Sequence, residues 1–186
     1  MSVLSVEHSG IFTDQFQPIE AHIKASGIPY TILRLPLFID NNWASQGSIK
    51  DQGKIYGPVK PDALLTPIAV SDIAAVGATV LANPGAHVNK TYKLATKPFS
   101  HNQLAAAFAA ATGKTVEYVQ VPYDAAKSAF LGLGYPEWQV DGILELYHHI
   151  DAGASYYAAS DDVANVTGNA PVTVEQWTAQ VGAAFK

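Results

Sequence analysis

The segment "IEAHIKASGIPYTILRLPLFIDNN" (residues 19–42) constrains the fold more than any other stretch. Gly27 and Pro29 stop an amphipathic helix, and the β-branched, apolar run "YTILRL" (30–35) after them reads as a central strand. Upstream, "SVLSVE" (2–7) is a second short apolar run fit for a buried strand. Between the two, Phe12, Phe16, Ile19 and Ile23 recur at steps of four, three and four, which predicts a helix over 12–26 with these residues on its inner face. Strand, helix and strand within 35 residues make a βαβ unit, whose crossover is right-handed and whose strands are parallel.

The rest of the chain extends this α/β pattern. Residues 37–64 carry Gly47, Gly53, Gly57, Pro58 and Pro61, a loop-rich region with one short strand at "KIYG". Ser71-Asp72 reads as a capping pair for a helix that buries Ile73, Gly77, Val80 and Leu81, and "KTYKLA" (90–95) as a third strand. Ser100 and Gln103 form a capping box opening a helix with Leu104, Phe108 and Ala111 inside, closed by Gly113. "TVEYVQV" (115–121) alternates as an edge strand does. Pro136 starts a helix to about 151 with Val140, Ile143, Leu144, Tyr147 and Ile150 facing in. A second capping box, Thr173 with Gln176, opens a last helix that buries Val174, Trp177, Val181 and Phe185. With no repeat or linker, the chain is expected to be a single domain. Residues 1–45 and 65–96 supply the sheet, and 46–64 and 97–186 the helix-rich remainder.

Composition removes several functions. The net charge is −5 and the 11 Lys and Arg are scattered, so nothing is built to hold a nucleic-acid backbone. No window reaches 18 apolar residues and no leader opens the chain, so the expectation is a cytoplasmic protein that contacts no membrane. Without cysteine there are no disulfides, thiolate nucleophiles or cysteine-based metal sites. His148, His149 and Asp151 do not converge on a metal, because adjacent helical residues point about 100° apart. No G-x-G-x-x-G or G-x-S-x-G occurs. Gly132-Leu133-Gly134 follows a helix, and Gly113-Lys114-Thr115 is a helix stop. Tyr123 and Lys127 have the spacing of a proton-transfer couple but lie downstream of the strands, as surface decoration.

In an open α/β sheet, ligands sit outside the carboxyl ends of the strands. Here those ends are Ser5 to His8 and Leu35 to Asn42. "LPLFIDNNW" joins apolar groups to two amides, which suits a flat ring held by a few directed hydrogen bonds. A loop that only covers the core fits the same residues, and both readings stand. The candidate pocket residues are Ser5, His8, Asn41, Asn42 and Trp43.

Several segments together resemble the NmrA-like branch of the atypical short-chain dehydrogenase/reductases. "IEAHIKASGIPYTILRLPLFIDNN" is similar to that branch's E-x-x-(I/L)-(R/K)-x-S-G-(L/I)-P-(Y/W)-T-I-(L/V)-R segment, and "PIAVSDIAAVGATVLANPG" to its D-I-(A/G) helix. "KTYKLATKPFSHNQLAAAFAAATGKTVEYVQVP" and "VANVTGNAPVTVEQW" resemble its later strand–helix–strand run and closing helix. The resemblance implies a Rossmann-like parallel sheet of which only the last strands are present, the glycine-rich phosphate turn having no counterpart. It implies NAD(P) as cofactor, with Leu35, Pro36, Leu37 and Phe38 lining the nicotinamide end and Asn41 and Asn42 near the substrate loop. It implies ancestry among quinone or other small-molecule reductases and redox-sensing regulators. A truncated chain of this kind is expected to hold the dinucleotide only loosely. Related reductases place a lysine four residues before the helix glutamate, and here Phe16 stands there before Glu20. The first strand would also present an unpaired edge, which implies a homodimer or a partner protein covering it. The alternative function is accordingly a non-catalytic ligand-binding or interaction module.

Overall fold

The computed structural model of the 186-residue chain describes residues 1–154 and 158–186. In chain order its elements are β1 (Ser2–Val3), α1 (Ile11–Ala25), β2 (Thr31–Leu35), α2 (Gln46–Gln52), β3 (Lys54–Gly57), β4 (Leu64–Leu65) and α3 (Val70–Ala82). There follow β5 (Lys90–Lys93), β6 (Phe99–Ser100), α4 (His101–Thr112), β7 (Glu117–Gln120), α5 (Tyr123–Gly132), α6 (Glu137–Asp151), α7 (Asp162–Thr167) and α8 (Val174–Val181). The fold is α/β, as expected, and the chain divides into two compact units, each drawn from three separate stretches.

The first unit comprises Met1–Phe38, Thr66–Lys97 and Tyr156–Val172. Its sheet has the order β1-β2-β5 and every pairing is parallel. Side chains alternate across β2. Leu33 and Leu35 point to one face, where Ile68, Val76, Leu94 and Val163 complete a core with α3 and α7. Arg34 points to the other face, beneath α1.

Three expectations are corrected here. The first strand ends at Val3, and Leu4–Glu7 winds into a 3-10 turn instead. The Ser5 carbonyl holds that turn by accepting from the His8 N–H and the Thr13 hydroxyl, both at 2.8 Å. The inner face of α1 is Thr13 and Glu20, not the apolar stripe: Ile19 is 54% exposed, Ile23 37%, and Phe12 and Phe16 are only half-buried. The physical reason is Arg34, which is buried under the helix and draws a carboxylate toward it. Finally, α3 begins after Ala69 with no side-chain cap, so Ser71 is not its cap. The Asp72 carboxylate accepts the Val172 N–H at 2.9 Å, Val76 takes the core position, and Leu81 is 80% exposed.

The second unit comprises Ile39–Leu65, Pro98–Ser155 and Thr173–Lys186. Both expected capping boxes form. The Ser100 hydroxyl accepts the Gln103 N–H at 3.2 Å while Gln103 Oε1 accepts the Ser100 N–H at 2.8 Å. Thr173 and Gln176 repeat this at 3.3 and 2.9 Å. The capped helices α4 and α8 pack together around Phe108, Trp177 and Phe185. Strands β3 and β7 pair in parallel, β4 and β6 antiparallel. The short helix α2 was not foreseen in the loop-rich stretch; Gly53 ends it in the left-handed conformation.

Candidate functional site

The mouth of the first unit's sheet is built from the chain leaving β1, β2 and β5. Leaving β2, Leu35 turns its side chain into the core, and the Leu37 carbonyl accepts the Ile68 N–H at 2.9 Å. Phe38 bridges to Ile68 in parallel and packs against the same core. Leaving β5, the Thr96 hydroxyl donates to the Pro67 carbonyl at 2.6 Å. Of the four residues expected at the nicotinamide end, Leu35 and Phe38 therefore serve the core. Pro36 and Leu37 lie half-buried at the strand end. Ser5 is buried and His8 exposed, both just past β1.

Beside this mouth lies a charge cluster not anticipated from the sequence. Arg34 donates from Nε to Glu20 Oε1 at 3.1 Å and from Nη2 to Glu20 Oε2 at 2.8 Å, a bidentate pair. Its Nη1 donates to the exposed carboxylate of Glu7, and Lys24 Nζ reaches Glu20 at 3.0 Å. Arg34 is 7% exposed and Glu20 4%. Burial pushes the Glu20 carboxyl up, but hydrogen bonds, that of Arg34 foremost, outweigh it and hold it at about 2. The Arg34 hydrogen bond likewise lowers Glu7. The available signal was an arginine inside an otherwise apolar strand, which demands a partner.

Asn41, Asn42 and Trp43 lie in the second unit, in a 3-10 turn over Ile39–Ser45. Asn42 Nδ2 donates to the Ile39 carbonyl at 2.7 Å, so this amide stabilises its own turn, whereas Asn41 is exposed. The Trp43 ring lies against Phe185 at 5.0 Å and meets the edge of Trp177 at 6.4 Å. Trp177 Nε1 donates to Asp40 at 3.4 Å. Trp43 is thus anchored to the aromatic core.

A second polar cluster in this unit centres on Asp151. Its Oδ2 accepts the Tyr123 hydroxyl at 2.8 Å and its Oδ1 the Lys60 N–H at 2.7 Å. Tyr123 stacks on His148 at 3.9 Å, and His101 on Tyr118 at 4.3 Å. Burial pushes His101 down to about 4 against a smaller opposing pull from Asp151, and Nδ1 of His101 has no hydrogen-bond partner among the described residues. Lys127 bridges to Asp141 at 2.8 Å and Glu137 at 3.3 Å, so Tyr123 and Lys127 are each engaged elsewhere and form no couple. Among the described residues no group of three or more His, Asp or Glu could hold a metal ion, and no helix is long and apolar enough to cross a membrane.

Comparison with known proteins is consistent across sequence and structure. The model of the NmrA-like family matches residues 5–179. The chain is 32% identical over 168 residues to an NAD(P)H azoreductase of Xenophilus azovorans, covering 89% of this chain and 57% of that protein. It is 30% identical over 150 residues to quinone oxidoreductase 2 of Escherichia coli strain K12, covering 80% and 50%. The structure of Citrobacter sp. triphenylmethane reductase complexed with NADP(H) superimposes with a TM-score of 0.75 at 26% identity, over 98% of this chain and 63% of that one. The chain thus spans about half the length of the curated relatives it matches.

Proposed function

We infer the function from one premise: the chain belongs to the NmrA-like family. It contributes the last strands of an NAD(P)-binding sheet and the substrate-binding part of a cytoplasmic reductase acting on conjugated small molecules, such as azo or quinone compounds. The observation that carries this is the 32% identity to an NAD(P)H azoreductase across 89% of the chain. A bound dinucleotide would supply the hydride. In this chain Pro36 and Leu37 offer an apolar wall for its flat ring, and the exposed His8 lies just past the neighbouring strand end.

These 186 residues hold the dinucleotide loosely. A pyrophosphate is bound by backbone N–H groups that closely spaced glycines turn toward it at a helix N-terminus. The turn from β1 into α1 carries one glycine, Gly10, and no G-x-G-x-x-G occurs. Phe16, one turn before Glu20, offers neither a hydrogen bond nor a proton. The test is a titration with NADPH followed by its own fluorescence. Binding weaker than about 100 μM, roughly 5.5 kcal/mol, is expected, with measurable binding by the millimolar range. Tighter saturation refutes the loose hold, and no binding at millimolar NADPH refutes the cofactor reading.

A further inference from the structure

Arg34 uses its donors in two directions. Nε and Nη2 share one edge of the planar guanidinium, and both are taken by Glu20, whose side chain is 6% exposed. Nη1 projects from another edge of that plane and donates to Glu7, whose side chain is 65% exposed. The buried charge of Arg34 is thus already matched by Glu20, and the bidentate bond holds the arginine in one orientation. Glu7 adds an ion pair at the surface, of the kind that contributes little to stability.

What Glu7 contributes is geometry. The last backbone pairing of β1 with β2 joins Val3 to Leu35. Beyond it the two chains leave the sheet by different routes, one into the turn Leu4–Glu7 and on to His8, the other into Pro36 and Leu37. Inside the turn Leu4, Ser5 and Val6 are buried, and the Ser5 carbonyl is tied to α1 through Thr13. Glu7 is the turn's outlying residue, and its bond to Arg34 joins the two departing chains again at the mouth of the sheet.

We propose that Glu7 is a positioning residue for the nicotinamide end of a bound dinucleotide. Acting through Arg34, it sets how far the turn, and His8 with it, stands from the apolar wall of Pro36 and Leu37. That separation is the width left for the flat ring. Because Glu20 fixes the plane of the guanidinium, the direction of Nη1 is fixed too, and an acceptor on residue 7 meets it at one place. The reach of the side chain at position 7 is therefore the property that matters, and its charge is not. This rests on the cofactor reading and adds a residue to it.

Two variants separate reach from charge. Glu7→Gln keeps an acceptor oxygen at the same reach without the charge, and Glu7→Asp keeps the charge one methylene short of Arg34. Saturation-transfer NMR with about 1 mM NADPH, in the weak-binding range expected, reads contact at the nicotinamide and adenine protons separately. Wild type and Glu7→Gln should give the same ratio of nicotinamide to adenine saturation. In Glu7→Asp the ratio should fall by about twofold or more, since a displacement of about 1 Å already degrades a fitted contact. The urea midpoints of both variants should match the wild type, because the pair lies at the surface. A ratio unchanged in Glu7→Asp, or one that falls as far in Glu7→Gln, overturns the positioning role and leaves the cofactor reading standing. No saturation of any NADPH proton by the wild type overturns the cofactor reading itself, and the positioning role with it.

Discussion

Glu20→Gln removes one charge from a pair that is almost wholly out of water. The ordinary glutamate value of 4.5 falls to about 2 in the folded chain. At 1.36 kcal/mol per unit this difference corresponds to about 3 kcal/mol of folding free energy at neutral pH. A folded value below the unfolded one means that the stabilisation is complete above 4.5 and is lost as pH falls toward 2. The wild type should therefore exceed Glu20→Gln by about 3 kcal/mol at pH 7 and by only about 1 kcal/mol at pH 3. The figure stays at the low end for a broken buried pair because Arg34 keeps its bond to Glu7. Urea denaturation of both proteins at the two pH values measures it. Adding Arg34→Met should return most of the loss, since the uncompensated guanidinium goes with it. A loss below about 1 kcal/mol at pH 7, or a gap that does not narrow at pH 3, would refute the reasoning.

Two further perturbations probe the second unit. Gly53→Ala meets both a left-handed backbone, φ +66, and the Thr115 carbonyl where its Cβ would sit. It should cost more than about 2 kcal/mol in urea titration. Because His101 is held near 4, the unfolded chain takes up a proton between pH 6.5 and 4 that the folded chain refuses, and stability falls as pH drops through that window. His101→Phe should flatten thermal melting between pH 7 and 5, and the His101 ring protons should show no titration step above pH 5 by NMR.

What could be read from the sequence followed from local chemistry. The capping boxes at Ser100 and Thr173 and the strand at 31–35 depend on a few neighbouring residues, and all three form. So does the burial of Phe108, Trp177 and Phe185. The face that α1 turns inward was not readable, because periodicity shows that a stripe exists but not what it faces. Its orientation is decided 14 residues away by Arg34. The expected pocket divides in the same way. That Asn42 lies in a turn was legible, but that its amide would be used by Ile39 depends on the turn's closure. The short helices α2 and α7 have too few residues to show a period at all.

The interleaving of the two units has a consequence for how the chain is made. The second unit closes only when Trp177 reaches Asp40 and the Ala184 carbonyl accepts from Gln46, partners 137 and 138 residues apart. In the first, Val172 must return to Asp72, 100 residues back. At roughly 5–20 residues per second of synthesis, the loop around Asp40 waits on the order of 10 s for its partners. Neither unit can finish early. A ribosome carrying this chain holds a half-built first core until Val172 emerges and a half-built second core until Ala184 does, and that interval is when chaperones and proteases see it most.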